Sequence, residues 1–140
     1  MNNPIKRIAI STGGGDAPGL NAVIRAVTLA AQRRGWEVFG IREGFNGILL
    51  PERYPVDGVF PITKDMVRGI SHLGGTILGT RNHGNPLSFV VTDPDGSQRE
   101  VDRSDDIIDH LRGMDIDALV CVGGDGTLTI ANVLHQKGLS

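Results

Sequence analysis

Two glycine-rich turns hold the residues of this chain that are best suited to chemistry. Residues 13–21 read Gly-Gly-Gly-Asp-Ala-Pro-Gly-Leu-Asn, and residues 123–127 read Gly-Gly-Asp-Gly-Thr. Each turn follows an apolar run and precedes a helical pattern, so free backbone N–H groups and the positive end of a helix dipole face one point. Glycines also let a phosphate approach the backbone closely. Two such turns predict one large phosphorylated ligand, or two ligands that meet.

The requirements of phosphoryl transfer suggest roles for single residues in these turns. Such transfer depends on positioning and charge neutralisation more than on covalent catalysis by the protein. We expect the N–H of Gly15 to face a donor phosphate and the carboxylate of Asp125 to bind Mg²⁺, directly or through water. Gly126 and Thr127 offer N–H groups at a helix start, and Thr127 adds a hydroxyl. The alternative is that both turns contain glycine only because the chain reverses tightly there.

Alternating strands and helices must hold both turns at one edge of a sheet. Apolar runs predict strands over 7–11, 37–42 and 118–122, and helical spacing predicts helices over 20–31 and 128–137, with a third that begins at Ser104. Strands that alternate with helices favour a parallel sheet with right-handed crossovers. Ligands of such sheets lie outside the carboxyl ends of the strands, where both turns fall. We therefore predict an α/β fold, a doubly wound three-layer sandwich with a mainly parallel sheet.

The connecting segments give weaker signals. We expect residues 43–58 to form an irregular loop over the sheet edge, residues 63–70 a short helix capped by Thr63, and residues 76–78 a short strand. A hairpin is predicted at 87–101 as a surface insertion without chemistry. Asp16 is expected to cap the first helix, with Pro18 in its first turn, and Ser104 to cap the third. Asp105 and Asp106 then favour a helix start over a metal pair.

Composition excludes several classes of protein. The 140 residues suit a single domain, with 39% hydrophobic and 21% charged residues. A net charge of −2 gives no broad basic field, so neither nucleic acid nor an anionic membrane is an expected partner. The sequence shows neither an 18-residue apolar segment nor a signal peptide, which predicts a cytoplasmic protein. Cys121 is expected to be a buried hydrophobe, and the histidines show no metal-ligand spacing.

Four motifs, in order, resemble those of the 6-phosphofructokinases. Residues 14–25 resemble the N-terminal signature of that family, residues 43–47 (Glu-Gly-Phe-Asn-Gly) its next loop, and residues 74–80 (Gly-Gly-Thr-Ile-Leu-Gly-Thr) its third. Residues 123–127 complete the set. This last motif alone is also similar to one in NAD kinases and lipid kinases, which are not expected to open with Asp-Ala-Pro-Gly-Leu-Asn.

The resemblance implies a glycolytic, often allosteric, enzyme that moves a phosphoryl group from ATP to the 1-hydroxyl of fructose 6-phosphate with Mg²⁺. It implies donor-binding roles for Gly15, Phe45, Arg81, Asn82, Gly124, Asp125, Gly126 and Thr127. The catalytic base of the family belongs to a Thr-Ile-Asp-Asn-Asp motif expected beyond Ser140. Residues 1–140 are therefore expected to form the N-terminal part of the donor-binding domain and to be inactive alone, whereas the full-length protein is expected to be a homodimer or homotetramer.

The phosphoryl donor is open between ATP and pyrophosphate. Relatives that use pyrophosphate commonly have an aspartate at the position of Gly126, where it crowds an α-phosphate, so Gly126 favours ATP. Ile130 replaces a small residue that lies against adenine in ATP-dependent relatives. Together with Asn82, it resembles a branch in which users of both donors occur.

Other residues keep two interpretations each. Arg81 either holds a donor phosphate or is a solvated loop arginine, since many bacterial relatives have the arginine at the position of Asn82. Phe45 lies near the nucleotide or covers the core, and Arg25 either binds an effector or faces solvent. For the whole protein, the alternatives are a non-catalytic nucleotide-binding or regulatory protein and, less favoured, a kinase of NAD or lipid.

Overall fold

The computed structural model describes residues 4–14, 18–80 and 84–140. Its strands are β1 Arg7–Thr12, β2 Glu37–Ile41, β3 Val59–Pro61, β4 Phe89–Thr92, β5 Gln98–Val101 and β6 Ala118–Val122. Its helices are α1 Leu20–Arg33, α2 Asn46–Leu49, α3 Ser104–Gly113 and α4 Asp125–Gln136. All three of the principal predicted strands are therefore present, with ends within one residue of those predicted.

The main sheet has the strand order β3-β2-β1-β6. β1 is parallel to both of its neighbours, with Ile8 opposite Val38 of β2 and Ala118 of β6. β3, which the sequence did not predict, adds an antiparallel edge to β2. The predicted mainly parallel sheet is thus confirmed, and β1 is the strand from which the chain winds in opposite directions.

Each strand of the sheet has apolar residues on both faces, because helices cover both. On one face, Ile8 and Ile10 pack in a cluster with Ile24 of α1. On the other, Ala9 lies in a cluster with Ile107 of α3. Residues that alternate along one strand therefore enter two different cores, which confirms the three-layer sandwich.

Three of the weaker predictions are wrong. Within the segment predicted to be an irregular loop, residues 46–49 form α2, and Phe45 and Leu49 are buried in the core. Residues 63–70 form turns, although the Met66 N–H donates to the Thr63 hydroxyl at 3.3 Å as a cap would. Residues 76–78 also form a turn, because their polar groups bond to side chains and a neighbouring loop instead of to a strand.

The helix starts also differ from the predictions. Gly19 is at the N-cap of α1, so Pro18 precedes the helix, and Asp16 lies outside the described residues. Ser104 is the first residue of α3 and not its cap, because its N–H already donates to the Asp102 carboxylate at 2.9 Å. Asp105 and Asp106 are in the first turn of α3, as predicted.

Two further comparisons concern the hairpin and the last helix. β4 and β5 pair antiparallel in a separate two-stranded sheet, with Phe89 opposite Val101, which confirms the predicted hairpin. α4 begins at Asp125, three positions before the predicted start, with Gly124 as its N-cap. Consequently Asp125, Gly126 and Thr127 lie in the first turn of a helix, where their N–H groups lack partners within that helix.

Candidate functional site

The two glycine turns meet because they follow adjacent parallel strands. The Gly13 N–H, just beyond β1, donates to the Val122 carbonyl at the end of β6 at 2.7 Å. From β1, the chain passes through α1 to β2 on one side, whereas β6 lies on the other. Such a reversal of strand order opens a crevice at the carboxyl edge of the sheet, where ligands of this fold class bind.

Thr127 packs between the two turns. A Cβ added at Gly13 would fall on the Thr127 hydroxyl oxygen, and one added at Gly123 would lie 2.8 Å from the Thr127 Cβ. Real Cβ atoms do not approach a neighbour so closely in well-packed protein. Gly13 and Gly123 are therefore explained by internal packing, since they make room for the Thr127 side chain.

Gly124 and Gly126 have no such explanation. Apart from the adjacent residues and the backbone of the same helix, no described atom lies within 4 Å of a Cβ built at either position, and neither residue has a positive φ. Alanine would be the better helix former at Gly126, which lies inside the first turn of α4. The contacts of the described residues therefore do not require glycine at these two positions, so the reason for glycine lies outside those contacts.

A cleft of about 270 Å³ opens between the joined turns. Its polar part is formed by residues at the end of β1 and in the first turn of α4, and its apolar part by side chains from three separate segments. The lining residues are Ser11, Thr12, Gly13, Gly14, Gly44, Phe45, Gly84, Asn85, Pro86, Gly126, Thr127 and Ile130. Phosphate-sized groups suit the turns. Ile130 is partly exposed at the apolar side of the cleft, and Phe45 and Pro86 line that side with the small part of their surface that is not buried.

Asp125 is exposed beside this cleft, in the first turn of α4. Within the described ranges no group of three or more His, Cys, Asp or Glu side chains is placed to hold a metal ion. A divalent ion at Asp125 would thus be held by few protein carboxylates and would complete its shell with water and ligand phosphates. Mg²⁺ is commonly held in this way, so the residues fit it.

The structure gathers part of the predicted site. Phe45, Gly126, Thr127 and Ile130 line the cleft together, although Phe45 is 81 or more positions from each of the others in the printed sequence. Gly124 and Asp125 belong to the same turn and helix start. The other three predicted donor-binding residues, Gly15, Arg81 and Asn82, lie outside the described residues.

Arg25 does not line the cleft. Its Nη1 donates to the Val67 carbonyl at 3.4 Å, and its side chain borders a groove of about 440 Å³ with Arg33 and Lys64. The groove is basic, so it suits an anion.

Sequence reasoning missed cleft residues that precede or follow the motifs. The Ser11 hydroxyl donates to the Gly44 carbonyl at 3.1 Å, and Thr12 is fully buried at the end of β1. Two hydroxyl residues at the end of an otherwise apolar strand were the available signal. Pro86 gave none, because its place in the cleft depends on a backbone bond from the Arg103 N–H to its carbonyl at 2.7 Å.

Cys121, predicted to be a small buried hydrophobe, is half-buried in β6. It packs against the core cluster that contains Ala9 and Leu134. Burial raises the pKa of its thiol to about 11, so the thiol is neutral at physiological pH. It does not line the cleft and has no place in the chemistry considered for it.

This chain is similar in sequence to members of one known family. The family model described as phosphofructokinase matches residues 7–140. The chain is 45% identical over 141 residues to ATP-dependent 6-phosphofructokinase 2 of Clostridium perfringens, covering 100% of this chain and 37% of that protein. It is 47% identical over 133 residues to ATP-dependent 6-phosphofructokinase 1 of a Nostoc species, covering 95% and 35%. The chain thus spans about a third of the length of these curated relatives.

Solved structures share the fold. The phosphofructokinase of Pichia pastoris superposes with a TM-score of 0.75 at 34% identity, covering 96% of this chain and 13% of that one. A pyrophosphate-dependent phosphofructokinase from Marinobacter aquaeolei superposes with a TM-score of 0.70, covering 95% and 30%. Its 18% identity shows likeness of fold alone. No helix among the described residues is both long and apolar enough to span a bilayer.

Proposed function

Because this chain belongs to the phosphofructokinase family, we propose that the whole protein transfers the γ-phosphoryl group of ATP to the 1-hydroxyl of fructose 6-phosphate. The observation that carries the proposal is the cleft in which both glycine turns meet beside an apolar wall. Relatives at 45% and 47% identity are named ATP-dependent 6-phosphofructokinases, which supports the same reaction here. Residues 1–140 then form part of a donor-binding domain, with the hairpin at 87–101 as a surface insertion.

In this proposal the two turns hold the phosphates of the donor. The N–H groups of Gly126 and Thr127, at the positive end of α4, neutralise phosphate charge. Gly15 and Arg81 are proposed to add a backbone N–H and a guanidinium, as the sequence analysis expects. Mg²⁺ would be held by Asp125 and would lower the charge repulsion on the transferred group. The protein's contribution is thus orientation and charge stabilisation of the donor.

ATP is the proposed donor because the cleft continues beyond the phosphate-binding turns. Phe45, Pro86 and Ile130 give an apolar wall of the kind that packs on a nucleobase, whereas pyrophosphate has no group to place there. The open space at Gly126 leaves room for the additional phosphate of a nucleotide. Ile130 is accommodated in this wall, so it does not by itself favour pyrophosphate.

The acceptor and the assembly are supported only by family membership. We propose that the complete enzyme is a homodimer or homotetramer and that small molecules are its substrates. Arg25, at its basic groove, is a candidate for binding an anionic effector.

The test uses the full-length protein with fructose 6-phosphate and Mg²⁺, and supplies ATP or pyrophosphate in parallel. We expect fructose 1,6-bisphosphate to form with ATP. Formation with pyrophosphate alone would show that the apolar wall does not hold a nucleobase and would reverse the choice of donor. No product with either donor, together with binding of ATP, would favour the regulatory alternative.

A further inference from the structure

The motif at 74–80 lies apart from the residues that line the cleft. Within the described ranges, no residue of the loop 73–79 lines the cleft. The loop is nevertheless connected by buried side-chain hydrogen bonds to both ends of the first glycine turn. Thr12 stands before that turn and Asn21 after it.

Asn21 holds the first half of the loop. Its side chain is 2% exposed, and its Nδ2 donates to the carbonyls of Leu73 at 3.2 Å and Gly74 at 3.3 Å. Its Oδ1 accepts the Ile77 N–H at 2.7 Å. Both donor hydrogens and the acceptor of this amide are thus directed to one loop, which fixes the loop against the start of α1.

Two threonines hold the second half. The hydroxyls of Thr12 and Thr76 are 2.9 Å apart, and the Thr12 hydroxyl donates to the Gly79 carbonyl at 3.2 Å. The Thr76 hydroxyl accepts the Leu78 N–H at 3.1 Å. A single arrangement of protons satisfies all of these bonds, in which Thr76 donates to Thr12 and Thr12 donates to Gly79.

The loop in turn supports the apolar wall of the cleft. The Leu78 carbonyl accepts the Glu43 N–H at 2.8 Å, and Leu78 itself is buried in the core beside Gly40. Glu43 directly precedes Gly44 and Phe45, both of which line the cleft. Ser11 fixes the same segment from the other side through the Gly44 carbonyl. The wall is therefore held between the end of β1 and the loop 73–79.

We propose that the loop 73–79 is a brace for the Gly44–Phe45 wall, and that Thr76 and Asn21 are positioning residues for binding of the nucleobase of the donor. This inference rests on the proposed function, because the wall matters to a donor that carries a base. Pyrophosphate has no base to place on the wall, so its binding should depend on the brace less than that of ATP, through the bonds to Thr12 and Asn21 beside the first glycine turn.

The experiment compares three variants of the full-length protein. Thr76→Val removes the hydroxyl at nearly constant volume, and Thr76→Ser retains it. Thr28→Val is the matched control, since Thr28 is fully buried but its hydroxyl donates at 2.7 Å to Ile24 within the same helix. Calorimetric titration measures the Kd of a non-hydrolysable ATP analogue and of pyrophosphate with each variant, and a thermal scan measures the unfolding midpoint.

Thr76→Val should weaken binding of the ATP analogue about threefold to tenfold, the effect of losing one or two well-formed hydrogen bonds. The Kd of pyrophosphate should rise by a smaller factor, and Thr76→Ser should restore the affinity for the analogue. Thr28→Val should lower the unfolding midpoint without changing the ratio of the two Kd values. A purely structural role for Thr76 would give the pattern of this control.

The outcomes separate the two proposals. If the unaltered protein does not bind the ATP analogue, the proposed function is wrong and this inference with it. If the unaltered protein binds the analogue and Thr76→Val matches the control, the inference alone is overturned. Equal weakening of both ligands would also overturn it, by placing the effect at the phosphate turns. If Thr76→Val does not fold, Thr76→Ala, which removes the same hydroxyl without placing a methyl group in its position, provides the same comparison.

Discussion

Two pairs of glycines stand side by side in the joined turns and face opposite demands. Gly13 and Gly123, here called the packed pair, leave space for the Thr127 side chain inside the protein. Gly124 and Gly126, the open pair, face no described atom within 4 Å. The glycines of these motifs therefore do not all have the same role. Gly13 and Gly123 allow the two turns to pack together, whereas Gly124 and Gly126 leave an open surface.

This difference assigns different consequences to the two pairs. Substitutions in the packed pair should act on folding first, because they push apart elements of the core edge. Substitutions in or beside the open pair should act on donor binding and leave the fold intact. Substitutions in the two pairs therefore test whether effects on stability and effects on activity can be separated.

The largest effect is expected for Asp125, which lies between the two glycines of the open pair. Asp125→Asn should lower turnover on the order of a hundredfold or more, because the proposed Mg²⁺ would lose its carboxylate ligand. The unfolding midpoint should stay constant, since the side chain is exposed. Steady-state kinetics across Mg²⁺ concentrations would measure the change, with Asp109→Asn, on the exposed side of α3, as the control. Turnover equal to that of the control would remove Asp125 from the site.

The packed pair is tested most directly at Gly13. Gly13→Ala should lower the free energy of unfolding by about 1–3 kcal/mol, because its methyl group falls on the Thr127 hydroxyl. Thr127→Ala removes that hydroxyl, so Gly13→Ala should cost little when introduced into the Thr127→Ala background. Denaturant unfolding of the four proteins in this cycle gives the coupling directly. Strict additivity would show that Thr127 does not determine glycine at position 13.

Gly126→Ala makes the opposite prediction for the open pair. Alanine should raise the free energy of unfolding by about 0.4–1 kcal/mol, because Gly126 is in a helical turn with free space around it. The KM for ATP should nevertheless rise about threefold to tenfold as the methyl group meets the donor phosphates, an effect equal to about one lost hydrogen bond. A variant that is both less stable and unchanged in KM would break the distinction between the pairs.

The smallest effect concerns the strand that leads into the packed pair. Burial raises the pKa of Cys121 above its ordinary value of 9.0 to about 11, so the folded protein favours the neutral thiol. This contribution to stability is complete below pH 9 and is lost as the pH rises towards 11, because the unfolded thiol ionises first. Between pH 8 and 9.5 the free energy of unfolding should fall by less than about 1 kcal/mol. Cys121→Ala should lack this part of the pH dependence.

The predictions from sequence succeeded where the signal was local and repeated. β1, β2 and β6 are apolar over consecutive positions because both faces of the sheet are covered, and α1 follows its 3.6-residue spacing. The hairpin was predicted from a turn between two short runs of residues that favour strands. The predictions failed in the segments that connect the strands and helices. Residues 76–78 look like a short strand, but their polar groups are satisfied by Asn21 and Glu43, which no local pattern shows.

The site was predicted to a similar extent. The motifs indicated Phe45, Gly126 and Thr127, and the family resemblance indicated Ile130; all four line the cleft. The division of labour among the glycines was not predictable, because it depends on which atoms lie opposite each Cα. Thr127 was expected to be a ligand-binding hydroxyl, and the structure adds that its side chain packs against both turns.

The sequence by itself determined the order of strand, turn and helix, the family of the chain and the residue types that can meet a phosphate, because these are properties of neighbouring residues. Only the tertiary structure decided which glycines pack, which remain open, and how the loop 73–79 reaches the cleft. The hydroxyls of Thr12 and Thr76 are 64 residues apart in the chain and 2.9 Å apart in space. Contacts of that kind arise when parallel strands and their loops assemble, so their partners leave no mark in the local sequence.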